Sequence, residues 1–165
     1  MAKILLIETA TEVCSVAIAV NGAVAALEEA PDSLNHAALL TLQISRCAQQ
    51  SGLALSELDA VAVSAGPGSY TSLRVGVSVA KGLCYALNKP LIAVDTLLAL
   101  AMAGKPPVKT DSKGKNGHLF FLPMIDARRN EVWTSIYDHH FRQITPPQPL
   151  ILENNSFVNF ITDFV

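Results

Sequence analysis

The chain has 165 residues, half of them hydrophobic and 16% charged, a composition that supports a buried core and excludes a disordered chain. Twelve Lys and Arg against fourteen Asp and Glu leave a net charge of −2, which argues against a strongly basic nucleic-acid binder. The longest apolar runs are interrupted well short of the ~20 residues that a membrane span needs.

The first stretch, residues 3–8, is nearly all apolar and reads as a strand buried on both faces. It meets an acid, Glu8, at once and lacks a small-residue cleavage site, so a secretory leader is not expected. Residues 13–20 are β-branched and apolar and predict a second strand. Asn21-Gly22 is the strongest short hairpin signal, and residues 23–29 complete an antiparallel meander. From Asn35 to Gln50 the period changes: Leu40, Ile44, Cys47 and Ala48 fall on one helix face. Ser33 is the expected N-cap, and Gly52 the stop.

Residues 60–64 predict a fourth strand, followed by the turn Ala65-Gly66-Pro67-Gly68-Ser69 and a helix over 72–87. A fifth strand at 90–94 and a third helix at 96–103 give the order β-β-β-α-β-α-β-α. Early hairpins and later crossovers imply a mixed five-stranded α/β sheet with helices packed on it. Residues 104–117 turn to Gly, Pro, Lys and polar side chains and read as a linker or loop. Strands are expected at 118–126 and 131–138, with a break at Pro146-Pro147-Gln148-Pro149. The expected division is therefore a first lobe, 1–103, a loop, 104–117, and the start of a second lobe, 118–165.

Three motifs carry a resemblance: the opening Leu6-Ile7-Glu8-Thr9-Ala10-Thr11-Glu12-Val13-Cys14-Ser15-Val16-Ala17; the run from Gly66 to Gly76 with Ala80-Lys81-Gly82-Leu83 after it; and Ile125-Asp126-Ala127-Arg128-Arg129-Asn130-Glu131-Val132. In this order they resemble the TsaB (YeaZ) family, whose fold is that of the actin-like ATPases (ASKHA, ribonuclease H-like). That family normally has a longer second lobe, so the second lobe here is incomplete by comparison. The resemblance implies a role in making threonylcarbamoyladenosine at position 37 of tRNA. It implies a subunit without chemistry of its own that supports a TsaD-like catalytic subunit together with a TsaE-like small ATPase. It further implies a homodimer when alone, tRNA met only indirectly through the complex, and any ATP held at the level of the complex. The interface it implies lies on the first two helices: Leu40, Ile44, Cys47, Arg74, Val75, Gly76, Val79, Ala80 and Leu83.

The residues themselves assign no catalytic, cofactor or metal site. The turn after the first strand, Glu8-Thr9-Ala10-Thr11, has no Gly with which to close on a phosphate. Glu8 reads as a strand end bonding its own turn rather than a metal-water ligand. His36 has Leu40 four residues on, so the paired helical histidines of a metal-binding helix are missing. The Gly66-Pro67-Gly68 turn reads as structural rather than phosphate-binding, since no P-loop Lys-Ser/Thr comes after it. Asp126, Arg128, Arg129 and Glu131 read as charge pairing at a solvated hairpin tip. The lysines at 105, 109, 113 and 115 read as a solubilising loop. Gly76 and Gly82 inside a helix cost roughly 1 kcal/mol each against Ala, and close approach of another helix is the expected compensation. Cys14, Cys47 and Cys84 are odd in number and far apart, as expected for unpaired thiols in a reducing cytoplasm. The alternatives are an active ATP-dependent carbamoyl- or phosphoryl-transferring enzyme of the same fold, and a self-associating domain with another client.

Overall fold

A computed structural model describes residues 1–30, 36–104, 119–153 and 155–162, with only the backbone described at 36–38. The 104–117 loop beyond Gly104, its lysines, the Ser33 cap and the side chain of His36 therefore lie outside the described residues. The chain divides into two compact units, Met1–Asp95 and Thr96–Val165.

The first unit is a five-stranded mixed sheet with two helices. Its strands are β1 (Lys3–Glu8), β2 (Cys14–Val20), β3 (Ala23–Ala30), β4 (Ala60–Gly66) and β5 (Leu91–Asp95), in the order β3-β2-β1-β4-β5. The meander runs antiparallel, from Lys3 opposite Val20 to Glu8 opposite Ser15. Asn21 (φ 51°) and Gly22 (φ 81°) both take positive φ at its first turn, as the two-residue Asn-Gly signal requires. β4 then pairs parallel to β1, and β5 parallel to β4.

Alternation within these strands decides what the helices cover. Leu5 and Ile7 of β1, Val16 and Ile18 of β2, and Val61 and Val63 of β4 form one buried cluster with Leu40, Ile44 and Cys47 of α1 (His36–Ser51) and Ala80 of α2 (Tyr70–Leu87). α1 lies over β2 and β3, and α2 over β4. Both helices are thus amphipathic elements whose most buried apolar residues pack on the sheet. α2 begins two residues before the expected start. It ends at Asn88, whose left-handed conformation (φ 53°) accompanies an N–H bond back to Cys84 and Tyr85.

The second unit opens with α3 (Thr96–Ala103), which the sequence pattern groups with the first lobe. Leu97 and Ala101 of this helix cluster with Ile125 and Tyr137, which is why it belongs with the later strands instead. The long strand expected at 118–126 is split into β6 (Phe120–Phe121) and β7 (Met124–Arg128). Pro123 interrupts it, having no N–H for a ladder, and its carbonyl accepts the Thr134 hydroxyl at 2.9 Å. The strand expected at 131–138 likewise separates into β8 (Glu131–Thr134) and β9 (Tyr137–Asp138). β10 (Gln148–Ile151) pairs with β8 and completes the order β10-β8-β7, its Pro149 tolerated because the strand is an edge. α4 (Ser156–Thr162) closes the described chain. Among the described residues, no helix is long and apolar enough to cross a membrane.

Candidate functional site

A groove of about 640 Å³ lies between α1 and α2. Ile44 and Ala48 of α1 and Val79 and Leu83 of α2 form its apolar walls, with Leu53 and Leu55 beyond the end of α1 closing one side. Thr41, Ser45 and Gln49, spaced i, i+4, i+8 on α1, give it a polar, uncharged rim. Among the described residues, no charged side chain lines it. The groove suits the apolar face of another element, with hydroxyls and an amide along its rim for a few directing hydrogen bonds.

The residues expected at an interface sort sharply by burial. Leu40, Cys47 and Ala80 are fully buried and Ile44 is 3% exposed. They face the sheet, and Leu40, Cys47 and Ala80 have no surface to offer a partner, which corrects that part of the sequence reading. Gly76 is buried as well. A Cβ there would collide with Thr9 Oγ1 and come within 3.2 Å of Thr9 Cγ2, so this glycine makes room for the end of β1 and not for a second helix. Val75, Val79 and Leu83 are half-buried, and Arg74 is exposed; these keep surface, and Val79 and Leu83 keep it in the groove. Sequence reasoning missed the rim (Thr41, Ser45, Gln49) and the closing residues Leu53 and Leu55. An i, i+4 run of small polar residues beside an apolar stripe was the available signal. For Leu53 and Leu55, which lie beyond the helix, periodicity carries none.

The turns where an actin-like ATPase would hold phosphates are spent internally. The Glu8 carboxylate accepts the Ala10 N–H at 2.6 Å, and Ser64 Oγ accepts the Thr9 N–H at 3.2 Å. Ser69, at the start of α2, donates its N–H to the Ala10 carbonyl at 2.7 Å. Gly68 is required by that approach: its φ is +156°, and a Cβ would stand 2.5 Å from the same carbonyl oxygen. The Thr9, Ala10 and Ser69 N–H groups are thus bonded within the protein, and the last of them holds one turn against the other. A smaller hollow of about 260 Å³ beside them is lined by Glu8, Ser15 and Ser64 among apolar residues. Among the described residues, no three His, Cys, Asp or Glu side chains gather as a metal-binding group.

The three thiols are unpaired. Burial pushes the Cys14 thiol up, helped by the Glu8 charge, and burial also raises Cys47 and Cys84. Cys14 and Gln43 share a buried pair of hydrogen bonds, from Sγ to the amide oxygen at 3.3 Å and from the amide to the Cys14 carbonyl at 3.2 Å. Cys14 and Cys47 are hydrogen-bond donors in the core, Cys47 to the Val16 carbonyl at 3.1 Å.

A parallel-antiparallel sheet of this order, with two helices on one face and turns in the place of phosphate loops, defines a lobe of the actin-like ATPase fold. The family model of TsaD, tRNA N6-adenosine threonylcarbamoyltransferase, matches residues 30–145. The TsaB protein of Escherichia coli (strain K12), named a tRNA threonylcarbamoyladenosine biosynthesis protein, is 36% identical over 136 residues, which are 82% of this chain and 54% of that one. A tRNA N6-adenosine threonylcarbamoyltransferase of Moorella thermoacetica is 42% identical over 105 residues, 59% of this chain and 31% of that one. The structure of YeaZ from Pseudomonas aeruginosa superposes with a TM-score of 0.79 at 30% identity, covering 93% of this chain and 70% of that one. The chain belongs to the TsaB (YeaZ) family. It spans about half the length of the curated relatives it matches.

Proposed function

We propose that this chain is a non-catalytic subunit of the machinery that makes threonylcarbamoyladenosine in tRNA, docking on a TsaD-like catalytic subunit through the α1/α2 groove. The observation that carries the reading is the groove itself, apolar at its base and lined by no charged group among the described residues. The names of the relatives supply the pathway. The internal commitment of Glu8, Ser64 and the Ser69 N–H supports the absence of phosphoryl chemistry. In this reading a TsaE-like ATPase joins the complex, any ATP belongs to that assembly, and tRNA is met through it. Without its partner the same groove closes on a second copy. Three unpaired thiols suit the reducing cytoplasm as the place of action.

The test is co-expression of the tagged chain with a TsaD-like subunit. The parent is expected to co-purify with it, and Leu83→Glu and Ser45→Arg, each placing a charge in the groove, are expected to abolish recovery with far-UV circular dichroism unchanged. Retention of the complex by both variants overturns groove docking. Magnesium-dependent ATP turnover by the isolated chain overturns the non-catalytic assignment.

A further inference from the structure

α2 carries a second surface besides its wall of the groove. At 100° per residue, Val79 and Leu83 fall on one flank of the buried Ala80, while Tyr70, Lys81, Arg74 and Tyr85 fall within about 60° of one another on the opposite flank. All four are exposed, the two tyrosines at 74% and 92%. The Arg74 guanidinium lies 5.3 Å from the centre of the Tyr70 ring. Neither Arg74 nor Lys81 forms an ion pair with a described residue. α2 contains no acidic residue. The stripe therefore runs aromatic, cation, cation, aromatic over about 22 Å of helix, with the cations about 10 Å apart along the axis.

We propose that this stripe is a track for single-stranded RNA, with phosphates on Arg74 and Lys81 and bases stacked on Tyr70 and Tyr85. The charge is complementary to a polyanion, and the Tyr85 ring and the face of Tyr70 away from Arg74 are what bases stack on irrespective of sequence. An apolar protein partner would gain nothing from two unpaired cations set between the rings. The choice of RNA rests on the proposed role in tRNA modification and goes beyond it: besides meeting tRNA through the assembly, the subunit touches the nucleic acid directly, on the flank of α2 turned away from the groove.

The test is a titration of the full chain into a fluorescein-labelled, twelve-nucleotide uridine-rich RNA, followed by anisotropy at about 20 mM and higher salt. Two phosphate contacts on a single strand give a log–log salt slope near −1.4. Arg74→Gln with Lys81→Gln is expected to flatten that slope, and Tyr85→Ala to weaken binding about tenfold with the slope kept. Both variants are expected to keep co-purifying with the TsaD-like subunit. No anisotropy change at low salt, or binding untouched by these substitutions, overturns the track while leaving groove docking standing. Loss of the TsaD-like subunit by the same variants assigns the stripe to a protein interface and also overturns it.

Discussion

Two glycines of α2 look alike in the sequence and differ in what surrounds them. Gly76 faces Thr9, whose hydroxyl is buried without a hydrogen-bond partner. Gly82 has no atom within 4 Å of where its Cβ would stand. A methyl group at Gly76 must displace a fully buried side chain, which costs about 1–3 kcal/mol and outweighs the roughly 1 kcal/mol that Ala gains in helix propensity. Gly76→Ala is therefore expected to destabilise the chain, and Thr9→Ala in that background to recover part of the loss. Gly82→Ala is expected to stabilise it by about 0.5–1 kcal/mol. Urea denaturation of these variants, with Thr9→Ala alone and the parent, checks this, the Gly76–Thr9 coupling being read from a double-mutant cycle. A Gly76→Ala variant as stable as Gly82→Ala would contradict the assigned contact.

At the scale of elements, the β7–β8 hairpin makes a sharper claim. Arg128, Arg129 and Asn130 follow one another at φ 69°, 55° and 59°, three non-glycine residues in the left-handed region. The turn is held by the Asp126 carboxylate, which accepts the Arg128 N–H at 2.7 Å, and by the Leu152 N–H bonded to the Asn130 carbonyl at 2.7 Å. Each non-glycine residue there costs on the order of 1 kcal/mol or more. Arg129 is exposed, so replacing it removes no packing. Arg129→Gly is expected to stabilise Thr96–Val165 by about 0.5–1 kcal/mol after the added freedom of the unfolded chain is subtracted. Arg129→Val, β-branched and strained in the same conformation, is expected to destabilise it. Trp133, on β8 opposite Ile125, is the chain's one tryptophan, and its fluorescence during urea unfolding reports both effects. Equal midpoints for the two variants would count against the strain.

At the scale of the whole molecule, legibility tracked periodicity. The five strands of Met1–Asp95 and their two helices were readable because alternation and the i, i+4 spacing of Leu40, Ile44 and Cys47 record one buried side each. Leu40 and Cys47, which the resemblance places at an interface, are instead buried against the sheet, because a stripe facing a sheet and a stripe facing a partner are written identically. Only burial separates Leu40 from Leu83. The groove rim was unread because Thr41, Ser45 and Gln49 carry no apolar signal, and the β6–β7 break because Pro123 sits inside an otherwise continuous apolar run. Both units nevertheless share one electrostatic dependence. The Ala54 N–H first, and then the Lys3 ammonium, hold the Glu57 carboxyl below its usual range; the backbone N–H groups of Arg142 and His140 do the same for Asp138. A carboxyl whose folded pKa is depressed adds stability above its unfolded value, near 4, and that stability is lost as pH falls through the folded value. Acid is therefore expected to weaken both units below about pH 4. Glu57→Gln should flatten this acid limb for Met1–Asp95 and leave Trp133 fluorescence unfolding unaltered, whereas Asp138→Asn should flatten the fluorescence-detected limb. Urea midpoints collected from pH 2.5 to 7 by circular dichroism and by fluorescence make the comparison. An acid limb that neither substitution changes would place the pH dependence on other carboxylates.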